Sequence, residues 1–335
     1  MKFSLLRFTN MVILGAMTAL ALSGVYGLYW TMPGWMFHVH RAAGWVLVAT
    51  TPWKLAISWH SLRRGLKADV DRGVMLFISL LISIVTLLIM GLAYAWQWRV
   101  GPATYLQRSV ISWHWILGLG LLLPFLIHAL WRWPRPRKAD FTSRRAALKL
   151  FGLGAASLGA WWLADALAIQ REESPRHISG SRLDGFYSGN QFPITHTIAA
   201  DAKQTDLSIW RLELAGKIDR PRLLTYDELI AIPAREKSAT LDCTLGWYTI
   251  QSWSGISLEE LLHAHGVDPS AEWVSFRSVT GYEQPLPMSE VRGVMLATHV
   301  GGEPLTFVHG APLRLVVPTR RGWFWVKWLT RIEVG

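Results

Sequence analysis

Hydrophobic positions along the chain follow two regimes. In the first half they form long runs, at roughly 11–30, 36–58, 73–96 and 109–131, each near the ~20 residues that a membrane-spanning helix needs. A fifth, weaker run covers about 150–168. From about Arg171 onward the runs give way to short segments. LSIWRLELAGKI alternates polar and apolar residues and predicts a strand closed by Arg220–Pro221, and WVSFRSVTG, PLRLVVP and FWVKWLTRIEV predict further strands. LTYDELIAI predicts a short helix whose N-cap Thr225 and Glu228, three residues on, form a capping box. ISLEELLHAHG repeats the device with Ser257 and Glu260, and Gly266 ends it. The pattern predicts an N-terminal all-α transmembrane bundle of four helices, with a fifth anchor or signal helix, followed by a β-rich α+β domain. The expected boundaries are 1–135 for the bundle, 136–172 for a basic loop with the fifth segment, and 173–335 for the globular domain.

Composition agrees with a membrane part. Of 335 residues 51% are hydrophobic and only 17% charged, and many of the 20 tryptophans stand near the ends of the apolar runs, as in interfacial belts. The net charge of +11 does not form one patch, which argues against a nucleic-acid partner. The basic residues sit instead in alternate loops. Arg63, Arg64, Lys67 and Arg72 occupy one, and Arg132, Arg135, Arg137, Lys138, Arg144 and Arg145 another, whereas the connections 31–35 and 97–107 hold only Arg99. By the positive-inside rule the N-terminus and both basic loops face the cytoplasm, and everything after the fifth run lies outside. The expected location is a bacterial cytoplasmic membrane, multi-pass, with the C-terminal domain on the periplasmic face.

Ionisable groups inside membrane helices are costly and mark candidate function. His40 on the second run and His114 on the fourth lie near the outer ends of their helices, and two facing bundle helices can each supply one axial imidazole to a b-type haem. His128 follows His114 by fourteen positions, about 21 Å along the same helix face. This spacing resembles that of di-haem cytochrome b membrane proteins, yet the same step from His40 reaches Lys54. A second haem, at His128 with His60, therefore stays open beside the first.

Ser143–Lys149, SRRAALK, before a glycine- and alanine-rich run, resembles a twin-arginine export signal, with Ala147 where a phenylalanine is usual. Ala166 and Ala168 offer a small-residue cleavage site; uncleaved, the run is the fifth helix. Cys243 is the chain's single cysteine, so no intrachain disulfide exists. By itself it reads either as a small buried hydrophobe or as a soft metal ligand. Trp247 and Tyr248 follow it as candidates to line a pocket, and Tyr248 is the candidate catalytic partner of Cys243.

The order GNQFPITH, WRLELAGKIDRPRLLTYDEL, LDCTLGWYTIQSWSGISLEELL, HGAPLRLVVP and RRGWFWVKWLTRIEV, through most of 173–335, resembles the molybdopterin-binding domain of the sulfite oxidase family. The resemblance implies that Cys243 is the thiolate on molybdenum. It also implies that the pterin is held by Asn190, Phe192 and His196, by the turn around His309 and Arg314, and by Arg321 and Lys327 near its phosphate. Sulfite oxidases carry an arginine-rich run directly after this cysteine, whereas here TLGWYTIQSW is uncharged and aromatic, so an oxyanion substrate is less expected. The likeness is greater to bacterial periplasmic members that work with a separate haem-bearing membrane partner. The expectation is a molybdenum oxidoreductase that transfers an oxygen atom to or from a small substrate, with a lean toward sulfoxide reduction. It would exchange electrons through b-type haem with the quinone pool, with or without a further electron-transfer subunit. The same parts run in reverse give a sulfite-type oxidase feeding quinone. A reading of another class is a cofactor-free binding domain on a membrane anchor.

Overall fold

A computed structural model describes residues 3–65, 70–98, 104–105, 108–132, 144–169, 177, 179, 181–194, 203–204 and 206–335. The chain divides into two compact units, one of residues 1–28 and 32–180, the other of 181–335 with residues 29–31.

The first unit is helical. It comprises α1 (Phe3–Tyr29), α2 (Gly34–Gly65), α3 (Val70–Trp98), α4 (Val110–Arg132) and α5 (Arg144–Ile169), with a ribbon of β1 (Thr104–Tyr105) and β2 (Arg108–Ser109) before α4. Helices thus occupy all four long apolar runs and the fifth. Ala16 and Met17 of α1, Ala43 and Leu47 of α2, Ile89 of α3 and Leu121 and Phe125 of α4 form one buried cluster. Four buried hydroxyls on α2 and α3 are satisfied within their own helices: Thr50 donates to Val46 O (2.7 Å), Thr51 to Leu47 O (2.6 Å), Ser83 to Ser79 O (2.9 Å) and Thr86 to Ile82 O (2.8 Å). Large apolar side chains meanwhile point outward, among them Leu22, Phe77, Leu123, Leu130, Phe151 and Trp162.

By length and apolarity, two of the described helices can cross a membrane, at Thr9–Tyr29 and Val110–Leu130, and Phe77–Ala93 is a shorter apolar segment. The sequence pattern leads to an expectation of four such spans. Two of the four meet that test; α2 carries His38, His40, Arg41 and Lys54 within its apolar run, and the apolar part of α3 is the shorter Phe77–Ala93.

The second unit contains β3 (Arg182–Leu183), β4 (Arg211–Gly216), β5 (Arg222–Thr225), α6 (Tyr226–Ile230), β6 (Arg235–Asp242), β7 (Trp247–Ser257), α7 (Leu258–Ala264), β8 (Trp273–Ser278), β9 (Glu283–Pro287), β10 (Met295–Val300), β11 (Glu303–Pro304), β12 (Arg314–Val316) and β13 (Leu329–Val334). One sheet runs β11-β10-β7-β3, with β12 paired to β10 and β6 to β7. A second runs β5-β4-β13-β8-β9. Trp253, Trp325, Phe276, Leu296 and Leu315 are among the large side chains fully buried in this unit's core.

Both expected helix starts are present, but only the first is a full capping box, since the Glu260 carboxylate pairs with Arg235. Thr225 accepts from Glu228 N–H (3.1 Å) while the Glu228 carboxylate accepts from Thr225 N–H (2.8 Å), and Ser257 accepts from Glu260 N–H (3.4 Å). Gly266 closes α7 with φ +69°, placing it in the left-handed region. One strand expectation is only partly met. FWVKWLTRIEV is strand from Leu329 onward, whereas Gly322–Phe324 is a 3-10 turn and Trp328 has φ +53°. Residues 322–328 instead wrap one wall of a cleft.

Candidate functional site

Cys243 lies at the tip of the β6–β7 hairpin. Asp242 pairs with Tyr248, Cys243 N–H donates to Trp247 O (2.9 Å), and Gly246 N–H returns to Cys243 O (3.1 Å). This is a three-residue loop whose last position must be left-handed, and Gly246 supplies it at φ +89°. Leu245 N–H approaches Cys243 Sγ at 3.5 Å. The sulfur is thereby set on a rigid turn between two strands.

Around it is an open cleft whose walls come from distant parts of the unit. Phe192 contributes from the segment before β4, Thr244 and Trp247 from the hairpin, and Ser278, Thr280 and Tyr282 from the β8–β9 turn. Arg314 contributes from β12, and Trp323, Lys327 and Trp328 from the wrapping segment. Gln251 on β7 seats the 185–192 loop: it donates to Gly185 O and accepts from Gly189 N–H (3.1 Å). Gly310, at φ +115°, lets the two cationic side chains approach, because a Cβ there would lie 3.2 Å from both Arg314 Cβ and Lys327 Cβ.

Electrostatics distinguish this cleft. Arg314 is 3% exposed, donates to His309 O (2.7 Å), and stacks its guanidinium over Phe192 and Trp253 at 5.9 and 5.5 Å. Its Nε has no hydrogen-bond partner, and no carboxylate is paired with it among the described residues. Burial lowers its pKa to about 10, against the opposing pull of Cys243. Lys327 donates to Val308 O (2.8 Å), and burial followed by the like charge of Arg314 lowers its pKa to about 7. Two cations thus converge on one thiol. A buried charge such as that of Arg314, paired with no carboxylate among the described residues, is costly, so its surroundings suit an anionic group.

In the helical unit, His40 and His114 face each other with ring centroids 6.3 Å apart. His114 Nδ1 lies 2.9 Å from Ile89 O, which can only accept, so Nδ1 carries the hydrogen and Nε2 keeps a lone pair. His40 Nδ1 lies 2.8 Å from Ser23 Oγ, whose own hydrogen goes to Ala19 O (2.5 Å). The Ser23 hydroxyl therefore accepts, and His40 Nε2 is likewise a free donor of electrons. The separation is close to the roughly 6 Å expected of two imidazoles sharing one metal at ~2 Å per bond.

Residues 199–335 match the family model "Oxidoreductase molybdopterin binding domain". An uncharacterized oxidoreductase of Bacillus subtilis (strain 168) is 32% identical over 145 residues, 42% of this chain and 73% of the relative. The catalytic subunit of the protein-methionine-sulfoxide reductase MsrP of Gluconobacter oxydans (strain 621H) is 31% identical over 238 residues, 62% of this chain and 75% of the relative. The chain belongs to the molybdopterin-binding oxidoreductase family. Among solved structures, the sulfane dehydrogenase SoxCD from Paracoccus pantotrophus shares 27% identity over 40% of each chain, with a TM-score of 0.38.

Membership makes the chain an enzyme with a molybdenum cofactor, and the cleft fits an anionic pterin group on the observation of Arg314 just described. Of the residues expected at a molybdopterin site, Phe192, Cys243, Arg314 and Lys327 line the cleft. The others are placed differently. Asn190 clamps the neighbouring segment, donating to Pro304 O and accepting from Thr306 N–H, both at 3.0 Å. His309 bridges Phe192 O (3.0 Å) and the Thr306 hydroxyl (2.8 Å), so it braces the turn that carries Arg314. Arg321 turns to Asp242 (2.8 Å) and Cys243 O (3.1 Å). Tyr248 is not among the cleft-lining residues, whereas Trp247 is, because consecutive strand residues face opposite sides. His196 falls outside the described residues, as does the side chain of His60. His128 lies on α4 as expected, and Lys54 donates to Asn10 on α1 (3.0 Å). Sequence reasoning missed Tyr282 and Trp323 as walls of this cleft; Gly281 and Gly322 beside them were the available signal.

Proposed function

We propose that this oxidoreductase is membrane-bound, reduces a sulfoxide-type substrate at Cys243, and draws electrons from the quinone pool through b-type haem. The observation that carries the reading is the single thiol facing a buried arginine, paired with no carboxylate among the described residues, within an aromatic cleft. Cys243 would hold molybdenum, and Arg314 and Lys327 would hold the anionic part of the pterin against Phe192. When bound, the group supplies two-electron exchange coupled to oxygen-atom transfer. Sulfoxide reduction takes up two electrons and two protons and yields a thioether and water.

The chain's own residues favour a neutral substrate. Trp247, Tyr282 and Trp323 offer aromatic surface that suits a polarizable sulfur, and Thr244, Ser278 and Thr280 offer hydroxyls for its oxygen. Both cations of the cleft are committed to the cofactor in this reading, which disfavours an oxyanion. The MsrP relative is by name a protein-methionine-sulfoxide reductase.

His40 and His114, each oriented through Nδ1, would hold the haem, whose one-electron chemistry links a quinol to the two-electron site. Residues 1–135 form the haem-binding part in this reading, 136–172 the basic loop with its twin-arginine-like motif and fifth helix, and 173–335 the catalytic part on the periplasmic face. Elemental analysis and a reduced-minus-oxidised optical spectrum of the purified full chain test the reading together, followed by quinol-analogue-dependent reduction of a panel of sulfoxides. Preparations with neither molybdenum nor a b-type haem band would refute it.

A further inference from the structure

The turn that carries Cys243 is held from behind by a buried ionic cluster. Asp242 is 1% exposed and Arg321 7% exposed. Arg321 Nη1 donates to Asp242 Oδ2 (2.8 Å), Arg321 Nη2 donates to Cys243 O (3.1 Å), and the hydroxyl of buried Ser181 donates to Asp242 Oδ1 (2.6 Å). With Gly246 N–H on the same carbonyl, both lone pairs of Cys243 O are engaged. The neighbouring backbone is equally close. A Cβ on Gly322 would lie 3.3 Å from Asp242 O and 3.4 Å from Cys243 Cα, and Arg182 N–H donates to Gly246 O (2.9 Å). Segments 181–182 and 321–322 therefore grip the hairpin tip from two sides.

We infer that Arg321, backed by Asp242 and Ser181, is a positioning residue that fixes the direction of the Cys243 sulfur by holding its carbonyl, rather than a ligand for the cofactor phosphate. Its charge is already neutralised by Asp242, in contrast to Arg314. A planar guanidinium fork holds a carboxylate and a carbonyl through two separate nitrogens in one fixed geometry, whereas the three donors of an ammonium radiate from a single nitrogen on a flexible stem. The inference rests on the reading that Cys243 ligates molybdenum.

The test uses the full-length protein in detergent, as wild type, Cys243→Ala, Arg321→Lys and Ser181→Ala. Molybdenum per chain, the Mo(V) electron paramagnetic resonance spectrum and the unfolding temperature are read on each. Arg321→Lys should lower molybdenum retention about 10-fold, in line with other groups that orient metal ligands, and shift the g-values of what remains. Ser181→Ala, which keeps the ion pair, should fold as wild type and shift the g-values in the same direction by less. A pair merely filling space would change the unfolding temperature and leave the spectrum alone. Wild-type molybdenum content and g-values in Arg321→Lys overturn the inference, and if that variant does not fold, a wild-type spectrum in Ser181→Ala does so. Full molybdenum with an unaltered spectrum in Cys243→Ala would instead remove the ligand assignment, and this inference with it.

Discussion

Two glycines, both at positive φ but in different surroundings, show how tightly the cleft is built. Gly281, in the β8–β9 turn, has φ +82° and nothing within 4 Å of where a Cβ would stand. Gly310 has φ +115° and a Cβ there would meet Arg314 Cβ, Lys327 Cβ and Lys327 Cγ, each at 3.2 Å. Alanine at either site incurs the left-handed penalty of about 1–2 kcal/mol. At Gly310 it must also displace the stems of two side chains that are themselves anchored, by His309 O and Val308 O, which adds about 1–3 kcal/mol of overpacking. For a unit of this size each kcal/mol moves the midpoint by roughly 2–4 °C. Gly281→Ala is thus expected to lower it by roughly 2–8 °C, and Gly310→Ala by a further 2–12 °C or so. The two units need not unfold together, so the assay should report on the second alone: pulse proteolysis of the full chain across a temperature series, following peptides from 181–335 by mass spectrometry. Molybdenum content should fall in Gly310→Ala and hold in Gly281→Ala. Equal midpoint shifts and equal molybdenum in the two variants would refute the close packing around Arg314 and Lys327.

Three further outcomes are expected. Replacing His114 with alanine should abolish the b-type haem band, while replacing His128 should leave the haem held by His40 and His114 intact; unchanged haem content in the His114 variant refutes the axial pair. In cofactor-free protein, Lys327 has a pKa of about 7 when folded and an ordinary lysine value when unfolded, so the unfolded chain binds more protons between about pH 7 and pH 10. Stability should accordingly rise with pH across that window and level off at its lower value below pH 7, where both states hold the proton, and Lys327→Met should flatten this part of a denaturant-midpoint profile. Thr225→Ala removes the capping box of α6 and should cost the second unit about 1 kcal/mol in chemical denaturation without altering molybdenum content or the optical spectrum.

What was legible in the chain follows from how local each signal is. Thr225 with Glu228 and Ser257 with Glu260 specify helix starts within four residues, and the apolar runs specify helices by their own composition, so both are readable without knowing the fold. The number of membrane spans was less so, because α2 mixes apolar residues with His40, Arg41 and Lys54, and the partners of His40 and Lys54, Ser23 and Asn10, lie on another helix. The His40 and His114 pair could be suspected from matched depth. The reason each imidazole presents Nε2 was not visible, since it depends on Ser23 and Ile89, seventeen and twenty-five positions away.

The same division holds at Cys243. Sequence by itself determined that there is one thiol, that no charged run follows it, and that the ordered stretches around it are those of a molybdopterin-binding domain. It could not say which neighbours face the sulfur. Tertiary structure decided that Trp247 and not Tyr248 lines the cleft, since strand alternation sends adjacent side chains to opposite faces. It also decided that two arginines alike in sequence differ in role. Arg314 is buried opposite the thiol with no carboxylate paired to it among the described residues, and Arg321 is neutralised by Asp242 behind the turn. Charge can be counted along a chain, but whether it is compensated depends on which groups the fold brings within a few ångströms.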